Sequence, residues 1–511
     1  MSRWYEARAV GATGPDHSIH GYTAGMASIP QMRWITPLVA AWGLLVPIAL
    51  LSGCETTVQD PMTALADKSA HDRTHLKSIQ MMRERNIDDD PIYLDLLAGI
   101  VWRPGYGLAV RREALNELWA HDREQTILLL RRQLPRMTNW PWLTECCEWI
   151  ADRDITELDP ALISSWGRPR ALTPDETDRP EFIALVRMHG RDAVVDKVFE
   201  LFVTSNKRSQ RGLRQRCWDL LHRLGERGRL IALATESEPD TDDIMMLDLN
   251  AAARDFGMVP YNREEIIWLQ KLRQPENEDF WEEAMVAMER VPAERRSELE
   301  MRDLAIVVAA TRHRQDLLDA PVARLYSHVD GMLRGRKHYS EYNPGIPGAD
   351  PMMERLRTHR ERLTWSDLAA IELALQALQH APVRTHLFAY ADEDHEDEST
   401  EFGGVIALDR KGRFEVLEFK PRIREHDLKF NASQAMFDAG YTSLFHFHFH
   451  AQRHGNRDHA GPGLGDMNYA DNTRANCLVF TFVDEDRMNV DYYRHGRVIV
   501  DLGTIRRPGS G

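Results

Sequence analysis

Between about residues 70 and 335, apolar side chains recur every three or four positions. Leu213, Cys217, Leu221 and Leu224 fall on one helical face, as do Ala114, Leu115, Leu118 and Trp119. Trp281, Ala284, Met285 and Met288 repeat the pattern, which marks amphipathic helices. Strand-like alternation is scarce there. Pro135, Pro141 and Pro292, with polar stretches around 173–179 and 237–243, separate successive helices.

Residues 335–352 contain Asn343-Pro344-Gly345-Ile346-Pro347-Gly348 and Pro351, and read as a loop or linker. A helix follows, with Thr364 and Asp367 as its capping box and Leu368, Ile371, Leu375 and Leu378 on one face; Pro382 ends it. Beyond Pro382 the period changes to that of strands. Strands are predicted at His386–Ala391, Gly403–Leu408, Phe414–Phe419, Thr442–His450, Cys477–Val483, Met488–Tyr493 and Val498–Leu502. The second and third form a hairpin across Lys411-Gly412, and helices are predicted near 432–439 and 465–475. Mixed helices and strands over this length indicate a compact α/β domain with a mixed sheet.

The segments at 112–119 and 215–224 share a small apolar residue followed by Leu or Trp on one face. Paired helices of this kind resemble HEAT-type repeats, which bury their apolar faces against neighbours. A clean repeat period is missing, so an irregular bundle is the alternative. The expected architecture is multidomain α plus α/β. It comprises an extension and leader (1–54), a polar tether (55–69), a helical region (70–335), a linker (336–362) and an α/β domain (363–511).

The leader is read from Met32–Cys54. Arg33 precedes an apolar run from Leu38 to Leu51, which ends in Leu51-Ser52-Gly53-Cys54. This layout is that of a secretion signal, and its ending resembles the bacterial lipobox, whose Cys is lipidated. Pro47 interrupts the run, which is shorter than the ~20 residues of a spanning helix; a plain membrane anchor is the alternative. Residues 1–31 read as an extension upstream of a start at Met26 or Met32. The expected location is the cell envelope, lipid-anchored through Cys54 on the extracytoplasmic face.

Composition adds little to this picture. A hydrophobic share of 43% and a charged share of 28% fit a globular chain. A formal charge of −15 speaks against nucleic acid as the main partner. Cys146, Cys147, Cys217 and Cys477 lack any CxxC spacing, so buried small hydrophobes are expected rather than disulfides or a thiolate metal site.

Three features of the C-terminal domain carry chemistry. His446, His448 and His450 alternate with phenylalanines, so on a strand the imidazoles share one face. Two histidines at i and i+2 can reach one ion, and imidazole suits zinc. Asp466, within Gly461-Pro462-Gly463-Leu464-Gly465-Asp466, opens the following helix and offers a carboxylate ligand. Glu401 enters the first strand of the hairpin and can serve as general acid/base. Singly, each has a plainer explanation: a solvated edge histidine, a helix-capping Asp, one acidic residue within 392–401.

In combination, over about 365–505, they resemble the JAMM (MPN/Mov34-type) zinc metallopeptidase motif. Glu401 stands three residues before Gly404; His448-x-His450 follows; and Pro462-Gly463-Leu464-Gly465-Asp466 matches the family's Pro-Ser-x-x-Asp at all but one position. The resemblance implies Zn2+ held by His448, His450 and Asp466, with Glu401 as general acid/base. His446 with His448 is a second possible register. Two departures stand out. Gly463 replaces the family's oxyanion-binding Ser, and the loop 451–465 exceeds the family's usual spacing while carrying His454 and His459.

The resemblance therefore implies a membrane-tethered metallopeptidase cutting an unknown peptide or protein substrate. The alternative is a non-catalytic envelope scaffold whose helical region binds a protein partner.

Overall fold

The computed structural model describes residues 58–168, 175–238, 240–339, 353–421, 423–424 and 430–509. The signal, the extension and Cys54 lie outside the described residues, as do linker residues 340–352. Among the described residues no helix is long and apolar enough to cross a membrane.

The threefold-to-fourfold periodicity before residue 335 folds as helices throughout. They begin earlier than expected, because Pro61–Ala66, within the supposed tether, is a helix capped by Asp60 with Leu65 fully buried. Each helix packs mainly on others close to it in the chain. The four described cysteines are buried.

The last of these helices touch the α/β part. Asp303–His313 is buried along most of its length and packs against α1 (Trp365–Ala377). Helix α1 starts at the capping box of Thr364 and Asp367, as its sequence predicts. It ends at Ala377, and Pro382 lies in the first turn of a further helix, α2 (Ala381–Glu396). The strand predicted at His386–Ala391 is thus a helix. Buried Val383, Leu387, Tyr390, Ala391 and Asp394 form a helical stripe that outruns the six-residue window suggesting a strand.

The remaining strands form one six-stranded mixed sheet: β1 (Gly403–Leu408), β2 (Phe414–Phe419), β3 (Phe445–His450), β4 (Cys477–Asp484), β5 (Arg487–Arg494) and β6 (Val498–Arg506). Their spatial order is β2-β1-β3-β4-β5-β6. Helix α3 (Gln434–Gly440) precedes β3. Helix α4 (Leu464–Thr473) lies in the crossover joining the parallel pair β3 and β4, and the other pairings are antiparallel.

Two sets of polar contacts fix the sheet to its surroundings. Asp367, fully buried in α1, accepts from Arg494 of β5 at 2.8 and 2.9 Å and from Arg302 of the helical region at 3.3 Å. The described ends of the 336–362 segment both lie on β6: Arg336 donates to Leu502 O, and Asp501 N donates to Glu354 O.

Candidate metal centre

Strand β3 has two chemically distinct faces. Phe447 and Phe449 pack on Phe480, with ring centroids 5.8 and 5.7 Å away. The histidines take the other face. His448 and His450 bring their Nε2 atoms to 3.3 Å from each other. Asp466, in the first turn of α4, reaches both, with Oδ1 3.2 Å from His448 Nε2 and Oδ2 3.6 Å from His450 Nε2.

Glu401 joins them through strand register. Gly403 of β1 stands opposite His448, so two further steps back put residue 401 opposite His450. One ligand-type atom from each of Glu401, His448 and His450 lies within 4.8 Å of the other two. Gly403 is needed for this approach of β1 to β3, since a Cβ there would sit 2.4 Å from Phe447 O.

A second layer holds the imidazoles. His450 Nδ1 donates to the carbonyl of His459 at 2.8 Å, which leaves Nε2 as its lone-pair nitrogen. His448 Nδ1 lies 3.4 Å from the Tyr493 hydroxyl. Gln452 Nε2 donates to Glu401 Oε1 at 3.0 Å, while Asn456 Nδ2 donates to Gln452 Oε1 at 2.6 Å. Gly463 N–H donates to Asp466 Oδ2 at 2.8 Å.

Burial raises the Glu401 carboxyl above its ordinary range, against the pull of His450 and His448. Burial opposes charge on His450, but Asp466 and Glu401 outweigh it and lift the imidazole to about 9. Burial likewise opposes charge on Asp466, yet the two imidazoles hold its carboxyl well below the carboxylate range. The cluster therefore attracts positive charge, and a divalent cation would replace the proton on His450. Two imidazole nitrogens and a carboxylate oxygen around one point are a donor set that suits zinc. A cavity of about 320 Å³, with Glu401, His448, Asp466, Met436, Tyr469 and Tyr493 in its wall, opens beside them.

No protein-family model matches this chain, and neither the characterised proteins nor the solved structures contain one similar to it.

His446 stands apart from the group. Its Nδ1 meets the Tyr469 hydroxyl at 2.8 Å, Gly440 packs against its Nε2, and burial lowers it to about 4. The histidines of the longer loop do not join either: His454 packs on His395 with ring centroids 4.2 Å apart, and His459 is exposed. His459 contributes its carbonyl instead. Sequence reasoning missed Gln452, Asn456 and Tyr493. Gln452 alone left a trace, because it extends the β3 alternation by one step beyond His450.

Proposed function

We propose that this chain is a membrane-tethered, zinc-dependent hydrolase of peptide or isopeptide bonds, as its JAMM resemblance implies. The observation that carries this reading is the convergence of Glu401, His448, His450 and Asp466 beside a cavity. A zinc ion held by His448, His450 and Asp466 would supply a Lewis acid and an activated water. Glu401 takes up a proton at its carboxylate and returns it to the leaving nitrogen. Burial raises its carboxyl above the ordinary carboxylate range, which helps it hold the proton before returning it. Gln452 fixes which way that carboxylate faces. Met436, Phe447, Tyr469 and Tyr493 wall the cavity in which the substrate would sit.

In this reading Cys54 carries the lipid, and the HEAT-like helical region holds a peptide or protein partner outside the cytoplasm. Gly463 favours a second reading, a non-catalytic envelope scaffold. It lacks the family's hydroxyl, and its N–H is already engaged by Asp466. Glu401→Gln separates the two. Incubation with a peptide library, read by mass spectrometry, should show cleavage by the wild type. The variant should retain its zinc and cleave at least about 10²-fold more slowly. Equal cleavage by both removes Glu401 from the chemistry, and no cleavage by either leaves the scaffold.

A further inference from the structure

A second group of acidic side chains is buried on the histidine-bearing face of the sheet, two strands from β3. Asp491 of β5 stands opposite Asp501 of β6, and Glu354 reaches them from the segment before α1. One carboxylate oxygen from each lies within 4.8 Å of the other two. Exposure is 0% for Asp491 and 4% for both Asp501 and Glu354. Asp501 accepts from Gly503 N at 2.6 Å and Tyr339 N at 2.8 Å, and lies 3.3 Å from His338 Nδ1. Asp491 Oδ2 accepts from Asn489 Nδ2 at 2.8 Å.

The polar atoms left over point to a ligand. Asp491 Oδ1, Asn489 Oδ1 and Thr481 Oγ1 have no hydrogen-bond partner, and all three residues are fully buried. Thr481 and Asn489 are register partners on neighbouring strands, beside Asp491 on the same face. Buried polar atoms are normally satisfied, and buried carboxylates normally paired. Three carboxylates brought together also repel one another, so the group favours added positive charge, as protons or as a metal ion. The donors are all oxygen, carboxylate and amide, which suits a hard cation. Enclosure favours Ca2+ over Mg2+, since Mg2+ keeps several of its waters.

We propose that Glu354, Asp491, Asp501 and the amide oxygen of Asn489 form a second cation site for a hard divalent ion such as Ca2+. Such an ion ties three pieces of chain together: the segment before α1, the β5–β6 pair, and the loop behind His450. Glu354 lies against that loop, for a Cβ on Gly461 would fall 2.3 Å from its Oε1. Gly461 is two residues from His459, whose carbonyl holds His450. The second ion thus supports the first centre without touching its chemistry.

The test uses the purified protein carrying His448→Ala/His450→Ala, which removes the first centre. After treatment with chelator it is titrated with CaCl2, followed by calorimetry and thermal melting. One equivalent of Ca2+ should bind and raise Tm, with Mg2+ weaker. Asp491→Asn and Asp501→Asn should each abolish both responses. Asn is isosteric with a protonated Asp, so Asp491→Asn is expected to fold. If the double-alanine parent does not fold, zinc-loaded wild type gives the same two readouts. The inference is overturned if Ca2+, Mg2+ and Mn2+ all leave heat and Tm unchanged, because protons then neutralise the group. Binding that survives both Asn variants overturns it too. Either failure leaves the zinc reading intact.

Discussion

Three histidines alternate along β3, yet only His448 and His450 share a centre with Asp466 and Glu401. Tyr469 and Gly440 enclose the third, and burial keeps His446 neutral down to about 4. In the unfolded chain its pKa is the ordinary 6.5, so unfolding binds a proton between those two values. Its contribution to stability is therefore lost as pH falls through that window, by up to about 3 kcal/mol. His446→Gln should flatten the fall of Tm between pH 6.5 and 4 relative to wild type, as read by calorimetry across that range. Gln452 makes the complementary case. Its amide pulls the Glu401 carboxyl down, so Gln452→Leu should raise that pKa further and move the acid limb of the cleavage rate to higher pH. An unmoved limb would deny Gln452 its positioning role. His448 and His450 were legible in the sequence because strand alternation turns them to one face, whereas Glu401 and Asp466 became legible only through the spacing that resembles the JAMM motif. Gln452, Asn456 and Tyr493 were not, because the contacts that give them meaning cross between strand, loop and a distant β5.

At the scale of elements, strands were legible wherever both flanks carried turn residues, as in the β1–β2 hairpin. Helix α2 was misread because six residues of it mimic a strand, and only the longer stripe from Val383 to Asp394 reveals its period. Helix α4 carries the departure from the JAMM pattern, and its N-cap is Gly463. A Cβ there would meet only Asp466 Oδ2, at 3.6 Å, so a side chain fits without displacing its neighbours. Ser is also at least as good an N-cap as Gly. Gly463→Ser should leave Tm unchanged or slightly raised and increase turnover, up to about 10²-fold if the hydroxyl restores an oxyanion donor. Unchanged turnover in a folded, zinc-loaded variant would show that the hydroxyl has no part in this chain's reaction.

Among the described residues, a buried ionic group helps join the helical region to the sheet. Arg302 comes from the helical side, Arg494 from β5, and Asp367 lies between them with its carboxyl held far below the usual range despite burial. Breaking such a group strands buried charge, at a cost of about 3–5 kcal/mol. Asp367→Asn should accordingly lower Tm by many degrees in one cooperative transition; two separated transitions would mean that the parts unfold independently. The proposed lipid tether is tested at this scale as well: Cys54→Ser should move the protein from the membrane to the soluble fraction on cell fractionation. His448, His450 and Asp466 are proposed to hold one zinc ion beside Glu401, and elemental analysis of the purified protein decides whether they do. One zinc per chain is expected in the wild type and in Glu401→Gln, and none in His448→Ala/His450→Ala. A wild type without zinc, or a double variant that keeps it, would rule out zinc at this centre.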